Sequence, residues 1–355
     1  MCLCCAVVAA LAQGQVNDAS PSRERPIPAQ PGQPMSAMGS EPRTLTPDNG
    51  DLHPAAPSLA ERLSKLDLPQ AERESISQAV QDHEYKRAET KLVDALAKNP
   101  RSPELLSVAA GVFFLDHDFL NCAIALKKAD TLRPLLPADR FTLTLAYIAL
   151  HRPDWARPEL DRLAREDSGQ PLYLYWLARV NYDNRRYEEA VALFRKVVQL
   201  APQLAKGWDN LGLSLEGLGD LDGALTSYQQ AVRLNRASPH PSSWPPLNEG
   251  TLLSKLGRYS EAEKSLREAK SYDPNFAQVR FRLGIVYDKE GRDAEALEEL
   301  NHAAALDPKY SDPLYALGRI YRRRGDGERA QKAFDAFQKL KSAEQEQNTT
   351  GSQPR

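Results

Sequence analysis

Small residues recur along this chain at a fixed interval, and that interval decides what it folds into. Stepping by 34 from Ala88 gives Cys122, Ala156, Ala190 and Ala224; one step of 38 reaches Ala262, and two more of 34 reach Ala296 and Ala330. Four residues after each stands a large apolar side chain: Leu92, Leu126, Leu160, Phe194, Tyr228, Leu266, Leu300 and Phe334. Three further on come Ala95, Ala129, Leu163, Val197, Ala231, Ala269, Ala303 and Phe337. Spacings of four and then three keep all three columns on one helix face. A helical face that returns at this period belongs to small units that bury their apolar sides only by stacking.

Each period holds two helices. The first carries a second small column: Ala110, Thr144, Ala178, Gly212, Gly250, Gly284 and Gly318. The position before it is mostly leucine, at Leu143, Leu177, Leu211, Leu283 and Leu317. A glycine turn follows in the later periods, at Gly219, Gly257, Gly291 and Gly325, where a left-handed cap costs glycine nothing sterically. The second helix ends near Pro100, Pro134, Pro202, Pro274 or Pro308, since proline lacks the N–H that would continue it.

These features resemble the tetratricopeptide repeat. Trp208-x-x-Leu211-Gly212 followed by Ala224-x-x-x-Tyr228 fits that family's pattern. So does Asn275 to Pro308, with Leu283-Gly284, Tyr287, Ala296 and Leu300. The resemblance covers residues 69–342 in eight repeats starting near 69, 103, 137, 171, 205, 243, 277 and 311. It is clearest from 171 onward and weakest at 137, where Pro153 and Pro158 flank Trp155. It implies an all-α, right-handed α-solenoid whose first helices line a concave groove, and a bacterial-type scaffold that holds a protein or peptide partner. The extra residues of the single 38-residue step lie in 236–246, around His240. A tolerated surface insertion and a dedicated binding loop both remain open readings of them.

The ends differ in composition from the repeats. Residues 2–12 are apolar and small, and Ala10-Leu11-Ala12 has the form of a signal-peptidase site, although no basic residue precedes the run. A signal peptide over 1–12, and hence a periplasmic or secreted protein, is the expectation; a cytoplasmic adaptor with an apolar fringe is the alternative. Residues 13–57 hold nine of the chain's 26 prolines and read as a disordered linker. Residues 58–68 are a candidate capping helix, and 343–355 read as a disordered tail. No stretch reaches the apolar length of a membrane span, so no integral segment is expected once a signal is removed.

The chemistry-bearing residues form no catalytic pattern. A net charge of −2 gives no reason to expect nucleic acid. Three cysteines lie at positions 2, 4 and 5, while Cys122 stands in the alanine column and reads as a small buried hydrophobe. His83, His117 and His151 fall on the 34-residue interval, at the turn where later repeats have glycine. Neighbouring turns are about a helix-packing layer, roughly 8–10 Å, apart, which is too far for shared metal bonds of about 2 Å. Histidine also tolerates a left-handed backbone, so these are turn residues and not ligands. No phosphate loop, nucleophile elbow or zinc motif occurs. We expect neither enzyme activity, cofactor nor metal.

The groove that the resemblance implies has named candidates. In the fourth repeat they are Tyr175, Trp176, Arg179 and Tyr182; in later repeats Asn210, Asn248, Phe281, Arg282, Tyr315, Arg319, Arg322 and Arg323. The wall changes from apolar and aromatic to polar and basic, which suits a peptide with apolar anchors and an acidic portion. Asn210 and Asn248 hold equivalent places, and in some members of the family groove asparagines hold a peptide backbone. The contrary reading is that the apolar residues pack repeats together and the arginines are a solvated face. Two further expectations stay open: delivery of substrate to a separate cell-envelope enzyme, and self-association through an exposed terminal repeat.

Overall fold

The computed structural model describes residues 58–350, which form seventeen α-helices and no strand. The expected segments 1–12 and 13–57, and residues 351–355 of the tail, lie outside the described residues. A short helix, α1 (Leu59–Ser64), precedes eight helix pairs. Repeats one to four are α2 (Gln70–Gln81) with α3 (Tyr85–Lys98), α4 (Pro103–Leu115) with α5 (Phe119–Leu132), α6 (Pro137–Ala149) with α7 (Pro153–Glu166), and α8 (Pro171–Asp183) with α9 (Tyr187–Leu200). Repeats five to eight are α10 (Ala205–Leu218) with α11 (Leu221–Arg236), α12 (Trp244–Lys255) with α13 (Tyr259–Tyr272), α14 (Ala277–Lys289) with α15 (Asp293–Leu306), and α16 (Asp312–Arg323) with α17 (Gly327–Thr350). The all-helical repeat read from the sequence is therefore the observed architecture. It divides into two compact units, 58–200 and 201–350.

The periodic columns form the core of both units. From Ala88 to Ala296 every member of the small column is fully buried, Cys122 included, and Ala330 is nearly so. Burial pushes the Cys122 thiol well up, which suppresses the thiolate and makes the residue an inert packing group. The large partners Leu92, Leu126, Leu160, Phe194, Tyr228, Leu266 and Leu300 are equally buried. Across each later pair the first-helix glycine faces the large residue of the second helix. A β-carbon on Gly212 would stand 2.6 Å from Tyr228, on Gly250 2.7 Å from Leu266, on Gly284 2.6 Å from Leu300 and on Gly318 2.6 Å from Phe334. Real β-carbons do not come that close, so the glycines set how near the two helices lie.

The turn column is left-handed throughout. Gly219, Gly257, Gly291 and Gly325 have φ of 90°, 77°, 75° and 78°. His83, His117 and His151 adopt 58°, 61° and 55°, as a turn role requires. Arg185 completes the column at 58°, a position the sequence pattern left unassigned. In each turn the next residue donates its N–H back across the helix end, as from Asp118 to the Phe113 carbonyl at 2.8 Å and from Arg292 to the Tyr287 carbonyl at 2.9 Å. This satisfies carbonyls that the helix end would otherwise strand.

Departures from the pattern are braced locally. Pro153 opens α7 and Pro158 lies within it, yet the helix continues to Glu166. The inserted residues lengthen α11 to 16 residues and then form a loop. That loop is pinned by the buried Asn235 side chain, which donates to the Ser242 carbonyl and accepts from the Ser242 N–H, both at 2.8 Å. At the C-terminal end, α17 continues to Thr350, so residues 343–350 are helical where composition reads as tail. The run Ala343 to Gln347, all Ala, Glu and Gln, favours helix. Buried Glu249 stands in the leucine column. Ser265 Oγ donates to its carboxylate at 2.8 Å, and desolvation raises its pKa.

Two stability measurements test this account. No atom lies within 4 Å of a β-carbon built on Gly291, so substitution there costs only the left-handed backbone. Gly291→Val is expected to destabilise by about 1–2 kcal/mol and Gly291→Asn by distinctly less, read as urea midpoints; equal midpoints would contradict a φ-limited turn. A carboxyl with a raised folded pKa stabilises fully below its unfolded pKa, and that contribution is lost as pH rises through the folded pKa. Glu249→Gln keeps an acceptor for Ser265 without the charge. The variant should match the wild type near pH 4 and exceed its stability at pH 7 to 8. An unchanged difference across that range would sink the assignment.

Candidate functional site

The candidate residues fall on first helices, and the structure separates them into buried and exposed groups. In the 58–200 unit, Tyr175, Trp176 and Arg179 on α8 are buried, and Tyr182 is half-buried. Tyr175 sits edge-on to Trp176, with ring centres 5.9 Å apart, and edge-on to fully buried Phe194 of its own second helix at 5.7 Å. Tyr182 packs on Tyr187 across the turn at 5.7 Å. Tyr175 thus joins its own helix pair together.

In the 201–350 unit, two neighbouring first helices are linked through polar candidates. Asn248 Nδ2 donates to both oxygens of buried Asp209 at 3.0 Å. Asn210 Nδ2 donates to the Lys206 carbonyl of its own helix at 2.8 Å. Lys255 pairs with Glu216 at 2.5 Å, and the Tyr228 hydroxyl donates to the same carboxylate at 2.9 Å. The Asn248–Asp209 and Lys255–Glu216 contacts hold α10 and α12 in register.

Exposure increases toward the last repeat. The column through Asp209, Leu247 and Phe281 is buried, but its final member, Tyr315, is 46% exposed. Tyr315 lies against Phe334 and Phe337 of α17, at 5.9 and 5.3 Å between ring centres. Arginines stack on aromatic rings here and in the preceding repeat. Arg282 lies over the Phe281 ring at 5.3 Å and Arg322 over Phe334 at 5.4 Å. Arg323 pairs with buried Asp288 at 2.7 Å and with Asp293, while Arg319 approaches Asp288 at 3.7 Å. Arg323 is thereby partly neutralised, whereas Arg319 and Arg322 remain substantially open to solvent.

Sequence reasoning missed a buried charge. Arg140 is 1% exposed and pairs with Asp130 at 3.2 Å and Glu159 at 2.5 Å. It stands at the place of Trp208, two repeats on. Trp208 Nε1 donates to the Pro202 carbonyl at 2.9 Å, and Arg280 Nε at the same place donates to the Pro274 carbonyl at 2.9 Å. Arg280 also pairs with Glu299 at 3.0 Å, the same 19 residues onward as Glu159 from Arg140. That shared spacing was the available signal. Among the described residues, no group of three His, Cys, Asp or Glu side chains is placed to hold a metal, and no helix is long and apolar enough to cross a membrane.

Comparison with known proteins places these repeats. Tetratricopeptide repeat family models match residues 141–205 and 247–311, residues 205–238 and residues 314–337. The BBSome complex member BBS4 of Bos taurus is 27% identical over 119 residues, 31% of this chain and 23% of that protein. The chain thus spans under a quarter of this curated relative's length. Among solved structures, the Cut9–Hcn1 hetero-tetramer of APC/C has a TM-score of 0.54 at 16% identity, over 69% of this chain and 48% of that one. The type IV pilus biogenesis factor PilW has a TM-score of 0.51 at 18% identity, over 56% of this chain and 90% of that one. With its periodic columns filled as the repeat demands and these matches spread over most of 141–337, the chain belongs to the tetratricopeptide repeat family.

Proposed function

We propose that this chain is a non-catalytic scaffold, and that the first-helix face of its last repeats binds an acidic, apolar-containing segment of a protein partner. Tetratricopeptide repeats generally serve protein interaction. The observation that carries the reading here is the exposed Tyr315, which ends a column buried from Ser107 to Phe281 and is set between half-buried Phe334 and Phe337 and flanked by Arg319 and Arg322. Aromatic and arginine side chains together supply apolar area, planar hydrogen bonding and charge, the combination that dominates binding hot spots. The buried fourth-repeat aromatics serve packing in this reading, so substitutions at Tyr175 and Trp176 act through stability.

We further propose that the protein is exported. The apolar run at 2–12 and the Ala10-Leu11-Ala12 pattern support this. The partner would then be a periplasmic or secreted protein. An enzyme recovered as partner would place the chain among substrate-delivery subunits.

The test compares native-host partners captured by the wild type and by Tyr315→Ala/Arg322→Glu, both with wild-type circular dichroism. A specific partner should bind the variant about tenfold more weakly or worse. Equal affinity would move the site off the last repeats. Mass spectrometry of the same sample should find a mature chain beginning at Gln13; an intact Met1 would overturn export.

A further inference from the structure

The segment before the first repeat is folded onto a first-helix face. Ser58 Oγ accepts from the Glu61 N–H at 3.1 Å and starts α1. Leu59, Leu63 and Leu66 follow at i, i+4 and i+7, one apolar stripe. Leu63 and Leu66 are buried. The helix packs against α2 and also reaches α4, the first helix of the second repeat. A helix this short does not persist in water unless something holds it.

Two positions on the receiving face are fitted to it. Leu59 Cδ1 lies 3.2 Å from where a β-carbon on Gly111 would stand. Counting by the repeat, the equivalents of Gly111 are Ser77, Leu145, Arg179, Leu213, Thr251, Ile285 and Arg319. Only here is the place empty, and Leu59 lies over it. Asp139, on the first helix of the third repeat, is buried and pairs with Arg62 at 2.8 Å. Its equivalents include Leu105, Tyr173 and Val279, so a carboxylate is out of pattern. The return of the strap is clipped by Arg73, which donates to the carbonyls of Leu66 at 3.1 Å and Leu68 at 2.6 Å.

We propose that residues 58–68 are an intramolecular latch on a second docking site, formed by Gly111 and Asp139 on the first helices of repeats two and three. The external ligand of that site is a short amphipathic protein helix that presents leucines at i, i+4 and i+7 and an arginine at i+3. This chemistry is read from the occupant the chain already supplies: a glycine seat for a leucine, and a buried carboxylate for an arginine. The inference rests on first-helix faces being partner surfaces. The site lies in the 58–200 unit and is separate from the ledge at Tyr315.

The experiment uses the full chain and a fluorescein-labelled synthetic peptide of residues 58–68, followed by anisotropy. The wild type should bind it weakly, because its own latch competes. Leu59→Asp/Arg62→Glu in the protein should release the latch and tighten peptide binding at least tenfold. A peptide carrying Arg62→Glu should lose that binding, and adding Gly111→Leu to the released protein should abolish it. Equal binding to wild type and released protein, or binding to neither, overturns the latch. Hydrogen exchange on the wild type gives a second reading that needs no variant. Amides of 59–66 should exchange much faster than those of α2 to α9; exchange in step with that core would make α1 a fixed part of the fold and overturn the proposal. The peptide does not report on Tyr315 and Arg322, so its failure leaves the partner reading of the last repeats standing.

Discussion

The approach of two helices within each pair is the constraint on which the other features depend. In the C-terminal repeats a glycine on the first helix admits a leucine or aromatic from the second at a distance no β-carbon would allow. There Ala224, Ala262 and Ala296 of the second helices are fully buried and Ala330 nearly so. It also limits where anything else can go. With the inner faces of each pair filled, residues on the outer side of the first helix are the ones left to reach a neighbour, a strap or a partner. Earlier repeats use Ala110, Thr144 and Ala178 at the glycine place and still bury their large residues. Exact spacing therefore varies among repeats while the knob-and-seat arrangement persists.

Reversing the chain between the helices needs one left-handed residue per repeat, and the chain meets that need in two ways. Glycine serves in the last four repeats, and His83, His117, His151 and Arg185 in the first four. The side chains that replace glycine also gain contacts. His83 bonds to the Tyr85 hydroxyl at 2.7 Å, and His117 packs edge-on to Phe119 at 5.7 Å. A left-handed histidine costs backbone energy, and these contacts offset part of it. Three histidines at a common interval are thus explained by backbone geometry alone.

What was legible in the sequence followed the helical period. The columns at Ala88, Leu92 and Ala95, the glycine turns and the Trp208 signature each state a local rule, and each is repeated often enough to be read without coordinates. What escaped was polar residues within apolar columns. Arg140, Asp139 and Glu249 read individually as solvated charges, because charge on a helix usually faces water. Their burial depends on partners 19, 77 and 16 residues away, which no local period reports. The aromatic pair at Tyr175 and Trp176 misleads in the opposite direction. Residue type suggested an open wall, whereas edge-on packing against Phe194 places Tyr175 within the helix pair.

A repeat protein states its fold by keeping the pattern, so positions that break the pattern carry its individuality. Some breaks are repaired within the fold. Arg280 reproduces the hydrogen bond of Trp208, and Asn235 closes the inserted loop upon itself. Tyr315 breaks its column by exposure, not by polarity. Gly111 and Asp139 break theirs by admitting a segment from outside the repeat array. A substitution that merely preserves stacking has its complement within its own repeat or the adjoining one. Asp139 finds its complement in Arg62, which precedes the first repeat altogether, and this long reach is the ground for proposing docking over packing as the role of that surface.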